Sequence, residues 1–190
     1  MGTNKLLLPF GKGTVLSTVV NSAVEAAFSR IYIVTSAAIA DSLRIPSSPA
    51  LSFVVNENPE YGQSHSMRLG IKALGSGNVP FGILLGDMPM VSCTHLEAMR
   101  EKFRLRPFGK TALVPVKDGR FGHPSFYEAR WKSRLAEADG DCGGRKILKQ
   151  YLGEILLDSG EEDFFLDIDT PEDYLALQER LRGRCSFEQR

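Results

Sequence analysis

The chain has 190 residues, of which 43% are hydrophobic and 24% are charged, so it is long enough for one domain with a sizeable core and short for two. Lysine plus arginine and aspartate plus glutamate balance at 23 each, which excludes a general attraction to nucleic acid or to an anionic membrane surface. Any binding is therefore expected in a local pocket.

The cellular compartment is indicated by the cysteines and by the start of the chain. Cys93, Cys142 and Cys185 are odd in number and widely spaced, which argues against a disulfide framework or a structural zinc site. The first residues lack the basic and apolar regions of a signal peptide. The uncharged apolar stretches are shorter than the ~20 residues that a membrane span needs. These features predict a cytoplasmic protein.

Predicted helices and strands alternate along the chain. Apolar periodicity predicts helices over 17–27, 37–43, 64–74, 94–103, 145–152 and 171–181, and strands over 31–34, 51–55, 81–85, 111–116, 126–127 and 154–157. Thr94 is the expected N-cap of its helix, with Glu97 completing a capping box, and Thr170 is expected to cap the last helix. This order predicts an α/β fold with a largely parallel sheet covered on both faces. We expect one domain over 1–182 and a loose tail over 183–190.

Asp87 is the most informative position. It follows the apolar run Phe81–Leu85 in Gly86-Asp87-Met88-Pro89, at the carboxyl end of a predicted buried strand, and ligands of open α/β sheets bind at that edge. Asp169 lies in a second carboxylate cluster. Two carboxylates are hard oxygen ligands suited to Mg²⁺, which takes the rest of its shell from water and substrate phosphates. The cluster around Asp169 is also a good helix-capping sequence.

Four other segments are candidates for binding. Lys5, with glycines nearby, could neutralise a phosphate or could be a solvated surface lysine. The segment 58–68 places small hydroxyl residues at a helix start, with Arg68 one turn on, which suits an anion or simply a capped amphipathic helix. His123, before a proline, could contact an anionic substrate or could be structural. The loop 140–145 could close over a ligand or merely turn the chain.

Taken together and in order, these segments are more specific than any one alone. They are Met1-Gly2-x-x-Lys5, Asn58-Pro-x-Tyr-x-x-x-x-Ser66-x-Arg68, Gly86-Asp87-x-Pro89, Gly122-His123-Pro124, Gly140-Asp141-x-Gly143 and Asp167-Ile-Asp169-Thr-Pro-Glu-Asp173. Over nearly its whole length, the chain resembles the molybdenum cofactor cytidylyltransferases, within the wider set of molybdopterin-type nucleotidyltransferases.

The resemblance implies a three-layer, Rossmann-like nucleotidyltransferase fold with a mostly parallel, mixed sheet and an antiparallel strand near Phe126. It also implies transfer of CMP from CTP to a molybdopterin-type cofactor, with Mg²⁺ as the cofactor and release of pyrophosphate. A molybdenum hydroxylase that receives the product is a possible partner. No partnership with nucleic acid or membrane is expected.

The resemblance also assigns residues to roles. It implies that Lys5 binds the triphosphate, that Asp87 is catalytic together with Lys5, and that Asp87 and Asp169 hold the metal. The residues implied for nucleotide binding are Lys5, Asn58, Ser64, Ser66, Arg68 and Gly86, and those implied for acceptor binding are His123 and Asp141. The glycine before Asp87 resembles the cytidylyl-transferring branch of the family.

Two alternatives stay open at this stage, and one departure from the family pattern is clear. The alternatives are a nucleotidyltransferase for another phosphorylated acceptor, such as a sugar phosphate, and a non-catalytic accessory protein for the cofactor. The departure is at the start, where family members have a strand and a loop of the pattern Leu-Ala-Ala-Gly-x-Ser-x-Arg immediately before Met-Gly-x-x-Lys. We therefore expect the recorded start to lie downstream of the true one, and this chain to bind CTP weakly or not at all.

Overall fold

Seven α-helices are present in the part of the chain that the computed structural model describes, residues 4–45, 47–138 and 144–187, with residues 185–187 described as backbone only. They are α1 (Val15–Glu25), α2 (Ala37–Ser42), α3 (Gly62–Ala73), α4 (Cys93–Arg104), α5 (Trp131–Ala136), α6 (Arg145–Gln150) and α7 (Pro171–Phe187). Short 3₁₀ helices lie at Lys5–Leu7, Pro59–Tyr61, Leu152–Glu154 and Glu162–Phe165. No helix among these residues is long and apolar enough to cross a membrane.

Nine strands in the same residues form three separate sheets. The strands are β1 (Pro9–Phe10), β2 (Gly13–Thr14), β3 (Ile31–Thr35), β4 (Leu51–Val55), β5 (Phe81–Ile83), β6 (Ala112–Lys117), β7 (Arg120–Phe121), β8 (Ser125–Tyr127) and β9 (Ile155–Asp158). β1 and β2 form an antiparallel hairpin, β3 and β4 form a parallel pair, and β5 to β9 form a five-stranded sheet.

The five-stranded sheet is built around β6. This strand pairs with β9 in parallel and with β7 and β8 in antiparallel register, and β8 is also antiparallel to β5. Since β8 runs opposite to both of its neighbours, β5, β6 and β9 all point the same way. The antiparallel strand predicted near Phe126 is therefore confirmed, as is the α/β class with a mixed sheet.

Helices cover both faces of this sheet because the side chains of β6 alternate between them. Ala112 and Val114 point into a cluster with Trp131 and Leu135 of α5 and Ile147 of α6. The intervening Leu113 points to the opposite face, where it belongs to a cluster with the buried α4 residues Leu96, Met99 and Phe103. The arrangement is the three-layer architecture that the resemblance implied.

The parallel pair of β3 and β4 is not hydrogen-bonded to the larger sheet within the described residues. Its register runs without a break from Ile31 opposite Leu51 to Thr35 opposite Val55. Ile33 packs with Leu16 and Val20 of α1, and α3 also lies against β3. The pair is therefore attached to the rest of the molecule through helices rather than through a strand ladder.

Several predicted element boundaries need correction. The N-cap of α4 is Ser92, and its capping-box partner is His95, rather than Thr94 and Glu97. The strand predicted to reach Leu85 ends at Ile83. The last helix continues to Phe187 instead of ending at Leu181. Ser92 and Thr94 have similar capping properties, so that local sequence does not select between them.

Candidate active site

Lys5 is held in place by its own short helix. The side chain of Asn4 accepts a hydrogen bond from the Leu6 amide and caps the 3₁₀ turn Lys5–Leu7. Leu6 and Leu7 pack against the apolar cluster of Leu16 and Ile33. The backbone at Lys5 is thereby fixed to α1, and its side chain extends from an anchored turn.

Asp87 follows β5 at the carboxyl edge of the five-stranded sheet, after the irregular residues 84–86. Gly86 lets the backbone before Asp87 pack closely against Leu16 and Leu6, because a Cβ at that position would lie 3.0 Å from Leu16 Cδ1 and 3.7 Å from Leu6 Cδ2. Met88 and Val91, on the other side of Asp87, are buried. The carboxylate thus projects from a tightly packed segment and keeps 18% side-chain exposure.

Asp169 lies in the loop before α7. The Asp173 carboxylate accepts hydrogen bonds from the amides of Asp169 (3.2 Å) and Thr170 (2.8 Å), while Thr170 Oγ1 accepts one from the Asp173 amide at 3.1 Å. The bonds from Thr170 lower the pKa of Asp173. Thr170 therefore caps the helix, as the sequence predicted, with Asp173 as its reciprocal partner. Asp169 Oδ1 is left to point at Lys5.

A backbone hydrogen bond joins the two aspartate loops. The Ile168 amide donates to the Asp87 carbonyl at 3.1 Å, and the Ile168 side chain is fully buried with Phe10, Val15 and Met90. The distance between the aspartates is therefore set by main-chain packing.

Lys5, Asp87 and Asp169 meet at one point. Lys5 Nζ lies 2.7 Å from Asp87 Oδ2 and 2.9 Å from Asp169 Oδ1. Partial burial by itself would lower the pKa of Lys5, but the hydrogen bonds and charges of the two aspartates outweigh it and raise that pKa. The lysine is accordingly a firmly charged ammonium between two carboxylates.

Asp167 adds a third carboxyl group to this edge of the sheet. Burial raises its pKa, and the negative charges of Asp169 and Asp87 add to the increase. Sequence reasoning did not single it out, although the alternation Asp-x-Asp was a usable signal. It does not complete a metal cage, since no group of three or more His, Cys, Asp and Glu side chains in the described ranges could hold a metal ion.

The chemistry of the donor set nevertheless fits a divalent cation. Asp87 and Asp169 offer two carboxylates aimed at one point, and a lysine ammonium already lies there. Mg²⁺ is usually bound by one or two carboxylates, with water and substrate phosphates completing its shell. These two residues would hold such an ion.

The segment 58–68 forms the start of α3 and a polar network around Asn56. Asn56 is buried at the end of β4, accepts a hydrogen bond from the Asn58 amide at 2.9 Å, and donates one to Ser66 Oγ at 3.0 Å. Ser64 is completely buried. Asn56 is a residue that sequence reasoning missed, and its place directly after a strand was the available signal.

Arg68 contacts the protein backbone. Its Nη1 donates to the Ala138 carbonyl at 2.7 Å, so this guanidinium joins α3 to the residues that follow α5. Asp141, which was predicted together with His123 to bind the acceptor, lies outside the described residues.

His123 lies beside the same edge of the sheet. Its Nδ1 is 3.2 Å from the Ile83 carbonyl, and because a carbonyl only accepts, this bond requires the proton on Nδ1 and leaves Nε2 as an acceptor. Burial lowers the pKa of His123, opposed by the Ile83 carbonyl and the Asp87 charge and assisted by the charge of Arg145. The imidazole is thus held neutral near Asp87.

Gly122 explains how His123 reaches this position. A Cβ at Gly122 would lie 2.4 Å from the Phe164 carbonyl oxygen, and the His123 amide donates to the same oxygen at 2.9 Å. The loop that carries His123 therefore packs directly against the 3₁₀ turn Glu162–Phe165, which precedes Asp167 and Asp169.

Comparison with known proteins agrees with this geometry. Residues 1–155 match the family described as the MobA-like NTP transferase domain. The molybdenum cofactor cytidylyltransferase of Escherichia coli strain K12 is 27% identical over 185 residues, which cover 95% of this chain and 90% of that protein.

Solved structures share the fold. Rv0371c from Mycobacterium tuberculosis H37Rv superimposes with a TM-score of 0.78 at 25% identity, over 94% of this chain and 90% of that one, and it has also been crystallised as a complex with manganese. A nucleotidyl transferase from Methanothermobacter thermautotroptrophicus gives a TM-score of 0.75 at 22% identity, over 95% and 87%. With the family match spanning most of its length, the chain is a nucleotidyltransferase that belongs to the MobA-like NTP transferase family.

Proposed function

We propose that this protein transfers CMP from CTP to a molybdopterin-type acceptor, giving the cytosine dinucleotide form of the cofactor and pyrophosphate. The observation that carries the proposal is the convergence of Lys5, Asp87 and Asp169 at the carboxyl edge of the sheet. The relationship to the cytidylyltransferase of Escherichia coli supports the choice of donor and acceptor.

The reaction needs no nucleophile from the protein. An oxygen of the acceptor's terminal phosphate attacks the α-phosphorus of CTP, the bond from that phosphorus to the β-phosphate bridging oxygen breaks, and pyrophosphate leaves with the electron pair. Such a transfer is accelerated by alignment of the reactants and by neutralisation of charge on the phosphates.

Each residue of the site has a role in this scheme. Asp87 and Asp169 hold the divalent cation, which when bound neutralises charge on the triphosphate. Lys5 binds the triphosphate through its ammonium group and stabilises the charge that develops on the leaving pyrophosphate. Their anchored backbones keep these groups in place, so little reorganisation is needed during the reaction.

The remaining predicted residues surround this centre. Asn58, Ser64, Ser66, Arg68 and Gly86 are proposed to shape the nucleotide site, with Arg68 and Ser64 acting through the packing of α3. His123 offers an unprotonated Nε2 that can accept a hydrogen bond from the acceptor. Asp141 remains a proposed acceptor-binding residue from the sequence.

The test is release of pyrophosphate by the purified protein with Mg²⁺ or Mn²⁺. Each of CTP, GTP, ATP and UTP is combined in turn with molybdopterin and with a panel of sugar phosphates. We expect release with CTP and molybdopterin when CTP is supplied at a concentration high enough to offset the weak binding expected of this chain. Release of pyrophosphate only with a sugar phosphate would show that the acceptor is a sugar phosphate and not molybdopterin. Binding of molybdopterin without binding of nucleotide would indicate an accessory protein for the cofactor in place of an enzyme.

Variants assign the activity to this site. Asp87→Asn and Asp169→Asn should each lower turnover by about a hundredfold or more, since each removes a metal ligand and a negative charge. Asp41→Asn, at an exposed position of α2, is the matched control and should keep parental turnover. Parental turnover in Asp87→Asn would overturn the assignment.

A further inference from the structure

Lys5 lies where the metal ion would bind. Its ammonium nitrogen is within 2.9 Å of one oxygen from each aspartate, and these are the oxygens that face the shared point. A divalent cation bound by both carboxylates would occupy the same space. The ammonium and the metal are therefore alternative occupants.

The lysine is a strong competitor in the absence of substrate. Its two contacts are charge-assisted hydrogen bonds, which are shorter and stronger than neutral ones, and the side chains of Lys5 and Asp87 keep only 32% and 18% exposure. A metal that entered alone would break both contacts and leave a partly buried ammonium beside a second cation. Both effects lower the affinity for free metal.

A triphosphate removes this competition. It offers the ammonium new anionic oxygens, and the flexible four-carbon stem of lysine lets the charge move while the backbone stays fixed by the Asn4 cap and the packing of Leu6. Once the ammonium has moved to a phosphate, both carboxylates are free for the metal. Coupling of this kind is reciprocal, so bound metal also favours the nucleotide.

We propose that Lys5 is an exchangeable cation that keeps the metal site closed in the free protein and makes metal and triphosphate bind together. The inference rests on the proposed metal-dependent nucleotide chemistry of this site. It concerns binding only, and it assigns to Lys5 a second role, before any turnover, besides stabilising the triphosphate.

The experiment is a titration of the protein with Mn²⁺ in the absence of nucleotide. The concentration of free Mn²⁺ is measured at each step by electron paramagnetic resonance. Lys5→Met keeps most of the length of the side chain and removes its charge, and should bind Mn²⁺ about tenfold tighter, a typical size for such a coupling. Lys12→Met, at an exposed position of the β1–β2 turn, loses the same charge and should bind like the parent. Unchanged or weaker binding in Lys5→Met would overturn the proposal.

Two further measurements keep the test decisive. Lys5→Gln, compared with the parent by circular dichroism and by the same titration, replaces Lys5→Met if the latter does not fold. In the parent a non-hydrolysable CTP analogue, added at a concentration high enough to offset its weak binding, should tighten Mn²⁺ binding. In the Lys5 variant that gain should be smaller, and an equal gain in both proteins would contradict the coupling. Because the Mn²⁺ titration needs no turnover, tighter Mn²⁺ binding in Lys5→Met together with no pyrophosphate release by the parent would sustain this inference and remove the proposed reaction.

Discussion

Single residues at the site are placed by close backbone approaches as much as by charge. Gly122 is the sharpest case, because its Cα faces the Phe164 carbonyl and the ring of Phe165. Any side chain at position 122 would push the His123 loop away from the turn before Asp167. In the sequence Gly-His-Pro the histidine is the residue with binding chemistry, but the glycine is what makes that histidine's position possible.

Replacement of Gly122 by alanine is therefore expected to destabilise the protein. The added Cβ would lie 2.4 Å from a backbone oxygen, so the loop must shift, at a cost of about 1–3 kcal/mol. Gly153→Ala is the control, since nothing lies within 4 Å of a Cβ there. The free energy of unfolding, measured in urea, decides the matter: equal values for the two variants would show that the contact yields without cost.

At the scale of elements, the loop that carries Asp169 is held by a buried charge. Asp163, in the 3₁₀ turn Glu162–Phe165, has 2% side-chain exposure and pairs with Arg180 at 3.0 Å and Arg184 at 2.5 Å. Both arginines belong to α7, so the segments on either side of Asp169 are tied together. Arg184 lies beyond Leu181, so its pair with Asp163 holds the part of the last helix that the sequence did not predict. Asp163 is distant along the chain, and local sequence therefore did not indicate this pair.

Asp163→Asn should lower the free energy of unfolding by about 2–4 kcal/mol, because it removes the buried partner of two arginines. Glu162 also pairs with Arg180, but its side chain is 57% exposed. Glu162→Gln should therefore lower the free energy of unfolding by less than about 1 kcal/mol. Urea denaturation of both variants provides the comparison. Similar small losses in the two would mean that solvent replaces Asp163 as a partner of the arginines.

Sequence reasoning succeeded at the elements whose signals are local. The apolar run before Asp87, the Thr170–Asp173 cap and the alternation of helices and strands can all be identified within windows of a few residues, and the structure shows each of them. What it missed depends on contacts between distant segments. Examples are the burial of Ser64, the contact from Arg68 to Ala138, and the ion pair of Lys5 with both aspartates.

At the scale of the whole molecule, the β3–β4 pair is separate from the sheet around β6 within the described residues. Local sequence patterns did not predict this separation. β6 has strand partners on both sides, and its residues Ala112 to Val114 are completely buried. β3 and β4 pair only with each other within the described part of the chain, and Phe53 and Val55 of β4 are exposed. The stability of the two sheets should therefore be unequal, since a two-stranded unit depends on the packing of other elements.

Native-state hydrogen exchange measures this inequality. Amides of β3 and β4 open when the contacts of β3 with α1 and α3 are lost, whereas amides of β6 require disruption of the central sheet together with both helical layers. We expect the β3–β4 amides to exchange with an opening free energy at least about 2 kcal/mol below that of the β6 amides, which should approach the global value. Since α3 lies against β3 and Asn56 follows β4 directly, early opening of the pair would release the proposed nucleotide segment while the Asp87 strand stays folded. Equal protection in the two sheets would show instead that the molecule opens as one cooperative unit, and that helix packing couples the β3–β4 pair to the core as tightly as a strand ladder would.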